Sequence, residues 1–188
     1  MLAVAEELFT SQSFRTATIR DIAIAAGVSV GTVMGVGDKD TLLVTVLEQQ
    51  IRRVHASRMR EPNTITGTTP EPVTAIVELV RPFIDMFTLD PTLSREYAAI
   101  LTRGTHRSQI FSELAAFLVE EIASVLRYEG FDDDHARTTA HTIHLSYLGL
   151  LFVWAASGKD ENTSFFDDLR TVIHSLLSYR LRNEKERY

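Results

Sequence analysis

Residues 18–39 read Thr-Ile-Arg-Asp-Ile-Ala-Ile-Ala-Ala-Gly-Val-Ser-Val-Gly-Thr-Val-Met-Gly-Val-Gly-Asp-Lys. The spacing predicts two short helices joined by a tight turn. Thr18 followed by Asp21 forms a capping-box-like start, in which a hydroxyl accepts from an otherwise unpaired backbone N–H. Ile19, Ile22 and Ala23 supply an apolar face, small Ala25 and Ala26 permit close helix contact, and Gly27 admits the left-handed conformation that ends the helix near Ala26. Val28 is expected to anchor the turn in the core. Ser29 then caps a second, very short helix on which Val30, Gly31, Thr32, Met34 and Gly35 include the residues facing outward, while Val33 points back. Two short helices set at a steep angle by such a turn form a helix-turn-helix, whose second helix can enter the major groove of DNA while the first braces it.

Outward from this stretch the pattern stays helical. Leu2–Ser11 carries Val4, Ala5, Leu8 and Phe9 on one face, and Asp38 is placed to cap a long helix through about Met59. Glu61–Pro72, with three prolines and a glycine, reads as a linker loop. Beyond it the three- and four-residue apolar spacing predicts helices over 72–88, 91–103, 108–129, 133–157 and 163–182, with Pro82 kinking the first or delaying its start. No strand pattern competes. The expected fold is all-α: an N-terminal helix-turn-helix domain of three helices over residues 1–48, joined by a long helix to a C-terminal helical domain over 49–188.

Charge is unevenly placed along a chain whose net charge is −6. Residues 1–60 hold seven bases and six acids, and the acidic excess falls beyond them. A near-neutral head on an acidic body fits a small DNA-reading module on a larger support. There is no cysteine, hence no disulfide or thiolate metal site. No cationic leader with an apolar stretch marks a signal peptide, and Leu145–Ala156 is too short to cross a bilayer, so a cytoplasmic location without membrane attachment is expected. Phosphate loop, dinucleotide fingerprint, nucleophile elbow and paired zinc-ligand motifs are all missing, so neither an enzyme nor a cofactor is expected. His141 and His144, with His135 and Asp132–Asp134 nearby, invite a metal reading; the acids more simply cap a helix start, and no metal is expected.

Thr18-Ile19-Arg20-Asp21-Ile22-Ala23, Ala26-Gly27-Val28-Ser29, Gly31-Thr32-Val33 and Lys39-Asp40-Thr41-Leu42-Leu43, with Leu8-Phe9 upstream, resemble the DNA-binding domain of the TetR family. The resemblance covers about the first 48 residues. It implies that Thr18 and Thr32 touch phosphates through their hydroxyls, that Arg20 meets backbone or a base edge, and that Lys39 meets a phosphate. Ser29, Val30, Gly31, Met34 and Gly35 would complete the DNA-facing set, Val30 offering only apolar contact such as a thymine methyl. The sequence departs from the family pattern at Met34–Gly37, where aromatic and aliphatic groups are usual. The glycines at 35 and 37 predict a recognition helix that is short or mobile without DNA, with specificity leaning on Arg20 and DNA shape.

The same resemblance implies a homodimer on a palindromic double-stranded operator and a repressor released by a small, partly apolar effector. Phe83, Phe87, Tyr97, Leu101, Phe111 and Phe117 crowd three consecutive helices, and with His144 and Tyr147 they form the candidate effector site; core filling is the plainer account of most of them. Leu145, Leu148, Gly149 and Phe152 on one late helix and Leu169, Ile173 and Leu176 on the next are apolar over a wide arc, which asks for burial on two sides. They form the candidate dimer interface. A rival reading is a helical ligand-binding or scaffold dimer whose head binds DNA weakly or not at all.

Overall fold

The helix starts fixed by Thr18, Ser29, Asp38 and Asp132 are all capped as their chemistry requires. The Thr18 hydroxyl accepts from the Asp21 N–H at 3.1 Å, Ser29 Oγ from the Thr32 N–H at 3.0 Å, Asp38 Oδ1 from the Thr41 N–H at 2.8 Å and Asp132 Oδ1 from the His135 N–H at 3.0 Å. The computed structural model describes residues 1–60, 71–104, 106, 110–157 and 163–185, with side chains for all of these except 111, 112, 163 and 179–185. Among the described residues the chain forms α1 (Leu2–Gln12), α2 (Ile19–Ala25), α3 (Val30–Met34), α4 (Lys39–Arg60), α5 (Pro72–Leu89), α6 (Pro91–Thr102), α7 (Ile110–Tyr128), α8 (Asp133–Ser157) and α9 (Thr163–Lys185), with no strand. The all-α expectation holds, and the linker expected at Glu61–Pro72 lies outside the described residues from 61 to 70. Helix α5 starts at Pro72 without delay and runs on through Pro82, where the ring removes one N–H from the ladder.

Two compact units emerge from the packing. The first comprises Met1–Pro62 and Met86–Gln109. Its core is built from Phe9, Ile22, Val33, Leu42, Leu43 and Leu47, each at most 2% exposed. Phe9 meets Phe14 edge to face at 5.2 Å, and Phe87 stacks on Tyr97 at 6.0 Å. Side chains of this kind each contribute about 1.5–3 kcal/mol on burial, so α4 is held chiefly by its leucines and only secondarily by its helix propensity.

The second unit comprises Asn63–Asp85 and Ile110–Tyr188. Ile76, Val77 and Val80 of α5, Ile122 and Leu126 of α7, Ile143 of α8 and Leu169 and Ile173 of α9 are fully buried in it. Small Ala136 and Ala140, also fully buried, let α8 lie close to its neighbours. A left-handed Gly130 ends α7, its N–H donating to the Arg127 carbonyl while that of Phe131 donates to Leu126. Arg127 ties the turn by donating to Asp133 at 2.7 Å and to Glu120 at 2.9 Å.

Candidate nucleic-acid interface

The turn between α2 and α3 is closed by backbone bonds. Gly27 sits at φ 66°, its N–H donates to the Ile24 carbonyl at 3.1 Å, and the Val28 N–H reaches back to Ala23 at 3.0 Å. That pair of bonds is the glycine C-cap in which two late amides satisfy the last helical carbonyls. Val28 is therefore held by its amide, and its side chain, expected in the core, is 38% exposed. Val33 is fully buried, which fixes the rotation of α3 and sends Val30, Gly31, Thr32, Met34 and Gly35 to the surface. Helix α3 has five residues, as short as its glycines imply.

What this face can offer a phosphate depends on which of its hydroxyl hydrogens are already given away. Thr18 donates its single hydroxyl hydrogen to Asp21 Oδ2 at 2.6 Å and its backbone N–H to the same oxygen at 3.0 Å. These two bonds hold the Asp21 carboxyl below the usual range, with Arg20 adding to the effect. A phosphate accepts only, so the phosphate contact expected of the Thr18 hydroxyl requires breaking its bond to Asp21. Ser29 and Thr32 lie 2.9 Å apart, oxygen to oxygen, and share one hydroxyl hydrogen, leaving one for an outside acceptor. Lys39 does not extend outward: its Nζ donates to the Arg15 carbonyl at 3.3 Å and rests 4.5 Å from the centre of the Phe14 ring. Arg15 is bound to Glu96 at 2.7 Å. Arg20, exposed, is the sole cation between residues 16 and 38.

The remainder of the face is apolar. Ile24 is 70% exposed, Met34 53%, and Val30 and Val36 45% each. Gly37 lies against Thr41, and a Cβ there would come within 2.5 Å of the threonine methyl. This explains the glycine where a larger group is usual. Thr41 in turn donates to Asp38 Oδ1 at 2.6 Å and lies 2.9 Å from His106 Nε2, while Asp40 accepts from Arg103 at 2.9 Å. Because the Thr41 hydrogen is given to Asp38, the contact to His106 requires a proton on Nε2. These bonds also hold the Asp38 carboxyl below the usual range, the Thr41 hydroxyl first among them. The start of α4 is thereby tied to Arg103 and His106, more than 60 residues on, a link that no local pattern announces.

The candidate effector residues divide between the units. Phe87, Tyr97 and Leu101 belong to the first, with Phe87 and Tyr97 buried and Leu101 half-buried. Phe83, His144 and Tyr147 are buried in the second, whereas Phe117 is 56% exposed and the side chain of Phe111 lies outside the described residues. His144 stands 5.9 Å from Tyr147, ring to ring, and its Nδ1 has no hydrogen-bond partner among the described residues. Burial, aided by His141, pushes the imidazole down towards the neutral form; burial raises the Tyr147 phenol. An open groove of about 420 Å³ lies elsewhere in this unit, along Glu71, Val73, Arg170, Thr171, His174 and Ser175. His135 is engaged by Asp132 at 2.6 Å.

Of the candidate dimer residues, Leu145, Gly149 and Phe152 are exposed and Leu148 and Leu176 half-buried. Leu169 and Ile173 are wholly buried in the chain's own core, so their apolar surface is already covered. On α8, Thr138, Thr142, Leu145, Gly149, Phe152 and Ala156 are all exposed and follow one another at alternating four- and three-residue steps. That spacing makes a continuous seam along one face. No helix among the described residues is long and apolar enough to cross a membrane.

Residues 1–35 match the family described as bacterial regulatory proteins, tetR family. No curated protein matches the chain. Among solved structures, the chain is similar to FadR of Thermus thermophilus, a TetR-family transcriptional repressor crystallised with lauroyl-CoA, at 22% identity and a TM-score of 0.63, covering 94% of this chain and 91% of that one. It is also similar to a TetR transcriptional regulator from Legionella pneumophila, at 19% identity and a TM-score of 0.56, covering 93% of each chain.

Proposed function

From an N-terminal region that matches the tetR family of bacterial regulatory proteins, on a chain with the fold of TetR-family regulators, we propose a DNA-binding transcriptional regulator that acts as a homodimer. In this reading residues 1–48 read DNA, residues 49–188 bind an effector and dimerise, and the protein is a repressor rather than an enzyme. The observation that carries it is the outward face of α3, set by buried Val33 and by the Gly27 turn, with the Ser29–Thr32 hydroxyls at its edge and Arg20 exposed on α2. Two such heads on a dimer read a palindromic operator. The α8 seam through Leu145, Gly149 and Phe152 supplies the surface that would join them, and half-buried Leu148 and Leu176 would add to it.

The effector is small and partly apolar. Buried Phe83 and Tyr147 are apolar residues that such a ligand would meet, and the Nδ1 of His144, 5.9 Å ring to ring from Tyr147 and without a hydrogen-bond partner among the described residues, would offer it one hydrogen-bonding group. The acyl-CoA bound by the Thermus protein is consistent with such a ligand. Release from DNA requires that the effector favour one of two states of the protein.

The test is selection of bound duplexes from fragmented genomic DNA by the purified chain at low salt, followed by titration of the enriched sites. Enriched inverted repeats are the expected result. Failure to bind any duplex at low salt, where phosphate contacts are strongest, rejects the regulator and favours a helical scaffold.

A further inference from the structure

On the reading of this head as a DNA-binding domain, we infer that α3 recognises thymine-rich half-sites through their C5-methyl groups, with Val30 and Met34 as the contacting side chains. At about 100° per residue, the direction opposite buried Val33 falls between Gly31 and Gly35, so the centre of the outward face carries no side chain. Val30 and Met34, one turn apart, flank it on one side, and Thr32 flanks it on the other.

The fold does not demand either glycine. A Cβ at Gly31 would meet only Ser29 Oγ at 3.6 Å, and one at Gly35 would meet carbonyl oxygens of its own helix at 3.4 Å, both close to ordinary contact distances. Alanine at either place would favour the helix. Gly31 and Gly35 instead make the helix thin on the side that faces the groove, so its backbone can approach base edges closely. Such an approach brings Val30 and Met34 to the groove wall, and there the methyl of thymine is the one apolar feature a base pair presents in the major groove.

Hydrogen-bonded readout by α3 has little to work with. The Ser29–Thr32 pair keeps one hydroxyl hydrogen, and no amide, carboxylate or cationic side chain occurs between Val28 and Gly37. The usual bidentate pairs to guanine or adenine are therefore closed to this helix.

Uracil isolates the claim, because it lacks the methyl and keeps the hydrogen-bonding edge of thymine. The purified full-length chain is used to select sites from a random-sequence duplex pool, and each thymine of the enriched half-site is then replaced singly by deoxyuridine. Burial of one methyl predicts about four-fold weaker binding at each contacted thymine. The double variant Val30→Ala/Met34→Ala, checked for native helicity, is expected to bind thymine and uracil sites alike. Wild-type protein that binds every uracil-substituted site within two-fold of the parent overturns the inference while leaving the regulator intact. Duplexes that are bound without any enriched sequence overturn the thymine inference, whereas failure to bind any duplex of the pool at low salt overturns the DNA reading itself.

Discussion

Gly37→Ala is expected to be the most damaging single-methyl change in the head. A Cβ at this position would lie 2.5 Å from Thr41 Cγ2, 2.6 Å from Thr41 Cβ and 2.9 Å from its Oγ1, with the backbone at φ 156°. Rotating Thr41 cannot relieve a clash with its own Cβ, so the backbone between α3 and α4 must move. That movement breaks the Asp38 cap and displaces the Thr41 hydroxyl from His106. A lost cap costs about 1 kcal/mol and a strained backbone position about 1–3 kcal/mol, giving about 3 kcal/mol together. For a chain of this length that corresponds to a fall in Tm of about 9 °C. Thermal unfolding followed by far-ultraviolet circular dichroism measures it, with two controls. Gly27→Ala places a methyl in open space at φ 66° and costs about 1–2 kcal/mol. Gly35→Ala sits in helical backbone and is expected to raise Tm by about 3 °C. A Gly37→Ala protein no less stable than Gly27→Ala refutes the packing argument.

Salt dependence should be shallow for a regulator. With Arg20 as the exposed cation of each α2–α3 face and Lys39 drawn inward onto Phe14, a dimer neutralises about two phosphates, and the log–log slope of affinity against salt is about −1.8; Arg20→Ala is expected to remove nearly all of it. A slope near −10 would show that the cation inventory is incomplete. Because His144 has a lowered pKa when folded, the unfolded chain binds more protons than the native one below the ordinary value of 6.5. Stability is therefore fully present above that value and declines on acidification through it; His144→Phe is expected to flatten this part of the profile, and an unchanged slope refutes the assignment. Leu145→Glu places a charge on the exposed α8 seam and is expected to shift the chain to monomer by sedimentation without lowering its helicity, whereas an unaltered dimer moves the interface elsewhere.

Local chemistry made much of this fold legible. Thr18, Ser29, Asp38 and Asp132 mark helix starts because a short oxygen-bearing side chain must satisfy an amide there, and Gly27 marks a stop because its left-handed backbone closes the last carbonyls. Long-range pairing was not legible. Asp40 and Thr41 carry no sign that they meet Arg103 and His106, and Lys39 gives no hint that Phe14 draws its ammonium inward. Periodicity was also silent about ownership: Leu169, Ile173, Leu145 and Phe152 are equally apolar, yet two face the chain's own core and two face solvent. Thr18 is the instructive intermediate case. The pattern Thr-x-x-Asp announces the cap, in which the hydroxyl accepts from an amide, but not that the hydroxyl hydrogen is given to Asp21 and withheld from a phosphate.

The exposed residues Ile24, Val28, Val30, Met34 and Val36 have a colloidal consequence. Five large apolar side chains exposed within thirteen residues give the head an adhesive face. Duplex DNA that covers this face would act as its solubiliser, so the protein should tolerate crowding best when it is seated on DNA. Stripped of nucleic acid at high concentration, it should self-associate head to head, and the addition of short duplex should disperse it.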